Sequence, residues 1–403
     1  MQIGIERSVL SQSTTGIANY ARHIVGAVCL AYPDVRFKTF GRIDWRPLDK
    51  SEASFLSGAT KVDEFIAERR PTLPGRLLRT MRPIASDLAL ARELRAILRR
   101  FKQAAFARSA RTQNLNIFHA FNFRPLADPG VPVLPVVYDL STFRYPEFHP
   151  PDRVRWLSSL GKIVERAPLV HTISSFSKRE IASYFGYPSS RIFVAPPAAA
   201  AIYVQRREDV TRRELLPLGV NYGEFFLTVG TLEPRKNLRI IISAYARLPA
   251  HVRARFPLLV VGGPGWGALN LPRETDSLVA DGHLRLFKAL SDGGLRTLYE
   301  GARLMLMPSL YEGFGMPVVE ALSCGTPVAV SAGTAMEDVA AEFGSAVDPL
   351  NIDHWTEILN RSIDSSDWSD QTLRNARSSH AAKYNWGRSG AMVVEAYRQI
   401  MSI

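Results

Sequence analysis

The chain has 403 residues, of which 46% are hydrophobic, 10% aromatic and 22% charged. This composition excludes a disordered chain or a collagen-like repeat and leaves apolar material for more than one core. Fifty Lys and Arg against 38 Asp and Glu give a net charge of +12, which favours an anionic partner: nucleic acid, a phosphorylated substrate or an acidic membrane surface.

No window reaches the roughly 18 consecutive apolar residues of a membrane-spanning helix. Cys29 and Cys324 are too few for a disulfide framework or a metal site, so a reducing cytoplasm is expected. Met1–Arg7 reads as a strand with neither basic flank nor apolar h-region, which argues against a secretory signal.

A polar loop around Gly16 then opens a helix. From Pro71 to Arg111 there are ten basic residues and two acidic ones, Asp87 and Glu93. On a helical wheel of Leu90–Ala105, Leu90, Leu94, Ile97, Phe101 and Ala105 share one arc; Arg92, Arg95, Arg99 and Lys102 lie opposite. That arc can pack on its own sheet, and the basic face is outward in either case. Phe118-His119-Ala120-Phe121-Asn122 ends a strand, with His119 and Asn122 as candidates to face an acceptor and a core histidine as the alternative for His119. Val131–Leu140 looks like a buried strand ending in Tyr138 and Asp139. A carboxylate at the end of such a run usually has a partner or a task.

Helix 152–166, strand 169–173, helix 177–185 and strand 191–195 follow. Alternation breaks between Ala195 and Tyr222, at a proline-rich crossing that marks a domain junction. Beyond it come strand 225–229, helix 238–248, strand 257–261, helix 293–301, strand 304–308, helix 317–324, strand 327–330 and a tail helix, 386–403. Strands alternating with helices of this length predict parallel, doubly wound sheets in two α/β domains.

The most informative stretch is Tyr311-Glu312-Gly313-Phe314-Gly315-Met316-Pro317-Val318-Val319-Glu320. A buried strand runs into a glycine loop and then a helix with Pro317 near its start, where a missing N–H costs nothing. Such a loop lies where open α/β sheets bind ligands. The N–H groups of Phe314, Gly315, Met316 and Val318 are expected to point from the positive helix end, an arrangement suited to an anion. Glu312 and Glu320 frame the site, eight positions apart. The second stretch, Gly230-Thr231-Leu232-Glu233-Pro234-Arg235-Lys236-Asn237, places two cations before a helix. Cations oppose a helix dipole there unless an anion lies between. A third, Val260-Val261-Gly262-Gly263, ends a strand in a glycine turn.

These motifs resemble the Glu-x7-Glu signature and its surroundings in retaining GT-B glycosyltransferases of family 4. Gly325-Thr326-Pro327-Val328 is similar to the Gly-x-Pro-Val that follows the signature. Thr15-Gly16-Ile17 and Val136–Leu140 with Pro146-Glu147-Phe148-His149-Pro150 resemble the branch acting on mannose-type donors. The resemblance implies two Rossmann-like domains facing a cleft: 1–203 for the acceptor, with helix 386–403 returning to it, and 204–385 for the nucleotide-sugar. It implies that Glu312 contacts the donor sugar, with Tyr138 and Asp139 facing it, and that Glu320 meets the ribose. Arg235 and Lys236 would neutralise the departing diphosphate, and backbone near Lys288, Ala289 and Leu290 would meet the base. Tyr138 stands where most relatives carry His, and the family's usual glycine near Lys288 is replaced.

By the same resemblance the donor is GDP-mannose, ahead of a UDP-sugar or dTDP-rhamnose. The acceptor is a glycan or a polyprenol-diphosphate-linked glycan, in bacterial surface polysaccharide synthesis such as lipopolysaccharide. No cofactor or metal is expected, since Asp-x-Asp does not occur. A cytoplasmic enzyme resting on the inner membrane face through basic segment 76–111 is implied. The rivals are a GT-B-fold epimerase or phosphorylase and, from another class, a basic nucleic-acid-binding protein. The aromatics do not interleave with a basic groove as the last would need, so no nucleic acid is expected.

Overall fold

The computed structural model of the chain describes residues 1–11, 16–41, 43–49, 52, 56, 88–288 and 290–403, with the side chains of 88–96 and 99 excepted. In the first half β1 (Gln2–Glu6), β2 (Arg36–Phe40), β3 (Trp45–Pro47), β4 (Ile117–Ala120) and β5 (Val133–Pro135) form a sheet of order β3-β2-β1-β4-β5. Only β3 is antiparallel to its neighbour. β6 (Val170–Thr172) and β7 (Ile192–Val194) pair in parallel and join the β5 edge through a bridge between Val136 and His171.

The second half carries β8 (Phe226–Val229), β9 (Leu258–Val261), β10 (Leu284–Phe287), β11 (Leu304–Met307), β12 (Val328–Ser331) and β13 (Gly344–Val347). They are all parallel, in the order β10-β9-β8-β11-β12-β13. Leu-Leu-Val-Val of β9 and Leu-Met-Leu-Met of β11 are buried throughout, as unbroken apolar strands must be when helices cover both faces. Helices Leu238–Ala246 and Ile352–Asp364 close one face with Ile241, Tyr245, Trp355 and Leu359. Helices Asp292–Gly301 and Met316–Ser323 close the other with Leu298, Val318 and Leu322. Strand order reverses between β8 and β11, so the loops leaving their carboxyl ends part and open a crevice.

The chain crosses between halves twice. The outgoing crossing follows β7 and is fixed to the second half by Arg206, whose backbone N–H and guanidinium both reach Glu300 (2.9 and 2.6 Å). The return leads into helix Trp386–Met401, which lies on helix Gly16–Ala31 with the Trp386 and His23 rings stacked at 4.5 Å. Ser389 Oγ donates to the Pro196 carbonyl at 2.6 Å, tying the two crossings together.

Several expectations need correction. The run Val131–Leu140 keeps only a short ladder, because Pro132 and Pro135 carry no N–H to donate. The helix expected over 152–166 is two, Pro151–Leu157 and Leu160–Arg166, parted at Ser158-Ser159, where hydroxyls compete for the backbone. A helix does span Leu88–Ala110, yet Ile97 and Phe101 of its apolar arc are 61% and 62% exposed. Phe106 packs instead, edge-on against Phe40 and Phe118. Leu90, Leu94, Arg92, Arg95 and Arg99 lie outside the described side chains. No described helix is long and apolar enough to cross a membrane.

Candidate functional site

The crevice is built from three loops of the second half and one from the first. After β8, Pro234–Lys236 makes a single 3-10 turn closed by Asn237 in the left-handed region at φ 53°, a conformation asparagine tolerates better than most residues. Its amide donates to the carbonyls of Pro308 and Pro349 (3.1 and 2.8 Å), so the cation turn is anchored to the loop after β11. Arg235 is held by Glu233 at 2.6 Å and donates to the Tyr311 carbonyl.

Glu312 is 8% exposed. One carboxylate oxygen accepts from Lys236 Nζ at 2.6 Å and the other from Arg235 at 3.0 Å. Burial alone would raise its pKa, but Arg235 and then Lys236 outweigh burial and hold it down at about 2. Around this cluster Glu233 Oε2, Arg235 Nε and Ser309 Oγ are buried with no hydrogen-bond partner. Such atoms are rare in folded proteins and call for an explanation.

Gly315 caps helix Met316–Ser323. Among the described residues no carbonyl accepts from the N–H groups of Phe314, Gly315 and Met316, whereas Val318 N–H donates to the Gly315 carbonyl at 2.9 Å, so the expected fourth donor is already used. Gly313 is where the halves meet: a Cβ there would come within 2.7 Å of both Asp139 Cβ and the Tyr138 carbonyl. Across the same contact Tyr311 Oη accepts from Leu140 N–H at 3.1 Å.

Gly230 and Thr231 leave β8 beside Lys236, and Gly262 and Gly263 leave β9. A Cβ on Gly262 would overlap the Gly230 carbonyl oxygen at 1.9 Å, so the two turns interlock only with glycine there. Lys288 is exposed and Leu290 half-buried; Ala289 lies outside the described residues. Gly16 starts its helix, and a Cβ there would meet nothing within 4 Å among the described residues; the polar loop 12–15 before it falls outside the description. Glu320 is half-buried, and its Oε2 accepts from Tyr299 Oη at 2.9 Å. Its pKa is raised to about 7 as the net of three effects: burial raises it, Tyr299 pulls it back in part, and the Asp292 charge adds to the rise.

The first half answers differently. Asp139 accepts from Ser141 N–H at 2.9 Å and lies at the interface with Gly313. Tyr138 is turned inward: its hydroxyl donates to the Phe121 carbonyl at 2.8 Å and its ring meets Tyr20 and Phe123. As placed, that hydroxyl is spent on a carbonyl inside the first half. His119 is a core histidine and no acceptor contact, being fully buried between Tyr397 Oη (2.7 Å) and His171 Nδ1 (3.0 Å). Asn122 beside it is half-buried. Glu233, Ser309 and Tyr299 belong to the site but were not singled out from the sequence. Glu233 had a signal, since a carboxylate two positions before Arg235 in one turn is placed to hold it.

The chain is similar to known proteins in sequence and in fold. Residues 220–379, which include both cations and both glutamates, match the family model "Glycosyl transferases group 1". The chain is 30% identical to O-antigen chain mannosyltransferase B of Escherichia coli over 99% of its own length and 100% of that protein. It is 27% identical to the serotype-specific mannosyltransferase WbdA of E. coli over 59% of its length, spanning 29% of that longer protein. Its fold is similar to that of sucrose-phosphate synthase from Thermosynechococcus elongatus, with a TM-score of 0.68 at 18% identity, covering 100% and 99% of the two chains. With two parallel-sheet domains of GT-B type and a full-length relative at that identity, this chain belongs to the group 1 glycosyltransferases.

Proposed function

We propose that the protein is a retaining mannosyltransferase that moves mannose from GDP-mannose to a polyprenol-diphosphate-linked glycan during O-antigen synthesis. The observation that carries this reading is the end-to-end likeness to an O-antigen mannosyltransferase, joined to a cation pair at the strand-order reversal. We take 1–203, with the returning helix, as the acceptor domain and 204–385 as the donor domain.

The chemistry follows from the site. As the bond from the anomeric carbon to the diphosphate breaks, negative charge grows on the leaving phosphate. Arg235, Lys236 and the N–H groups of Phe314, Gly315 and Met316 are fixed donors for that charge. Donors that need no reorganisation lower such a barrier most. The Glu312 carboxylate already lies on both cations, so an arriving diphosphate shares them and releases Glu312 towards the hexose. Glu320 accepts the ribose hydroxyls. Attack from the face that the diphosphate leaves retains the anomeric configuration. Protein cations do the work of a metal here, and turnover is expected to survive EDTA.

A panel of GDP-mannose, UDP-sugars and dTDP-rhamnose, read by thermal shift and then by transfer, tests the donor. A ligand binding only the native state adds about 2.7 kcal/mol at a hundred times its Kd. A larger shift with UDP-glucose than with GDP-mannose overturns the donor assignment.

The membrane partner rests on helix Leu88–Ala110, which exposes Ile97, Leu98 and Phe101 beside exposed Arg100 and Arg108. Apolar side chains flanked by cations suit an anionic leaflet, where each Lys or Arg contributes about 1 kcal/mol. The purified protein is expected to co-sediment with anionic vesicles, to be released by salt, and to lose binding in an Ile97→Ser/Phe101→Ser variant. Equal binding to neutral and anionic vesicles, or binding to neither, removes this partner.

A further inference from the structure

One imidazole in the cleft is unaccounted for. His149 ends the 3-10 turn Pro146–Phe148 and is 8% exposed, yet neither of its ring nitrogens has a hydrogen-bond partner. Leaving two buried polar atoms unmet costs stability, and a purely structural histidine at this place would be expected to find a carbonyl.

The surroundings point to a carbohydrate. Trp266, in the loop after β9, lies with its ring centre 6.2 Å from that of His149, tilted by 37°, and its indole N–H donates to the Phe148 carbonyl. With that N–H taken, the ring face is what Trp266 has left to offer, and the residue is 38% exposed. Its loop is laid on the cation turn: Gly265 N–H donates to the Leu232 carbonyl at 3.1 Å and Gly267 lies against Pro234. The charges that act on the imidazole are Arg153, Asp139, Arg235 and Glu147, which places it within the field of the diphosphate-binding cation. Burial and then Arg153 push its pKa down, so at neutral pH the ring is uncharged, with one nitrogen that donates and one that accepts.

A neutral ring with a donor and an acceptor matches a pair of sugar hydroxyls, and an indole face matches the apolar face of a pyranose. We propose that His149 and Trp266 form a pyranose-binding subsite at the mouth of the cleft, closed between the two halves. Two sugars share this chemistry, the hexose on the donor and the terminal residue of the acceptor. The inference rests on membership of the glycosyltransferases and not on the identity of the donor base.

The experiment compares His149→Phe, His149→Gln, Trp266→Ala and Trp266→Phe with the parent enzyme. Each is titrated with GDP, GDP-mannose and UDP-glucose and then turned over with a mannose-terminated glycan. Nucleoside diphosphate affinity is expected to stay within about twofold of the parent, because the subsite touches sugar only.

His149→Phe and Trp266→Ala should raise one KM at least about tenfold, with partial recovery in His149→Gln and Trp266→Phe. A rise for the nucleotide-sugar assigns the donor hexose; a rise for the glycan assigns the acceptor. Unchanged constants for both substrates overturn the proposal. So does a loss of GDP or UDP affinity as large as the loss for the sugar, which marks His149 as structural. Trp266 is partly exposed, so its variants keep the test open if the buried His149 variants fold poorly. If the parent enzyme prefers UDP-glucose, the donor reading fails and the same comparison is made on that donor.

Discussion

Two buried polar clusters of this molecule invite comparison. In the first half a chain of hydrogen bonds runs from Tyr397 through His119 and His171 to Tyr20 and the Ala195 carbonyl. Its direction follows from one proton: Tyr20 spends its hydroxyl hydrogen on Ala195, so His171 Nε2 must donate to Tyr20. His171 Nδ1 then accepts from His119 Nε2, and His119 Nδ1 accepts from Tyr397. Every atom is satisfied with both rings neutral, in accord with the burial that pushes the His171 pKa down to about 3 and that of His119 well below its ordinary value.

In the second half the Glu312 cluster is charged, and buried Glu233 Oε2, Arg235 Nε and Ser309 Oγ go unmet. A network that closes on itself holds the fold, and one that leaves polar atoms over is prepared for something else. Polarity and burial do not tell the two apart; satisfaction does.

The strongest way to break this contrast is to remove the cations. Arg235→Ala or Lys236→Ala is expected to lower turnover about a hundredfold to a thousandfold, the usual cost of losing one preorganised group at a developing charge. Near-normal steady-state transfer in both variants would show that the leftover polar atoms signify nothing. The converse test is Tyr397→Phe, which leaves His119 Nδ1 buried without a donor. It is expected to cost about 1–3 kcal/mol of stability, seen as a lower melting temperature, while kcat of the folded enzyme stays at the parent level. A drop in kcat with an unchanged melting temperature would move this network into the machinery.

A finer distinction lies within the site, between its two glutamates. Glu320, with a pKa raised to about 7 from an ordinary 4.5, must be ionised to accept both ribose hydroxyls. Nucleoside diphosphate affinity is therefore expected to climb towards tenfold per pH unit below 7 and to level off above it. For stability the sign is opposite. A raised folded pKa contributes fully below about 4.5, and that contribution is lost as pH rises through about 7. Glu320→Gln should thus melt higher than the parent at pH 8 and bind nucleotide weakly with no pH slope. Calorimetry from pH 6 to 8 showing parallel slopes in parent and variant would remove the ribose role. Glu312→Ala should leave nucleotide binding nearly intact and impair transfer.

How far the sequence could be read follows the same division. The strand–loop–helix units around Gly230 and Glu312 were legible because apolar runs, glycine, proline and charge fall at fixed offsets within a few residues. The two doubly wound sheets followed from alternation. Side-chain direction was not legible: nothing in Val137-Tyr138-Asp139 says that Tyr138 turns to Phe121 while Asp139 turns to the cleft, because that depends on the register of β5 against β6. Strand β10 was missed because Leu-Arg-Leu-Phe is only four residues long, and β13 because Gly-Ser-Ala-Val carries too little apolar pattern. His119 stood open between core and site, and a partner 278 positions away in sequence decided it.

The bond from Ser389 to the Pro196 carbonyl has a mechanical consequence. Two crossings pinned to each other define a line along one side of the molecule. Swinging about that line strains neither crossing, whereas twisting or sliding one half against the other would have to stretch both. Away from the crossings the halves touch where Gly313 lacks a side chain, where Tyr311 meets Leu140 and where Trp266 meets Phe148, so the depth to which the cleft shuts is set at several separate points.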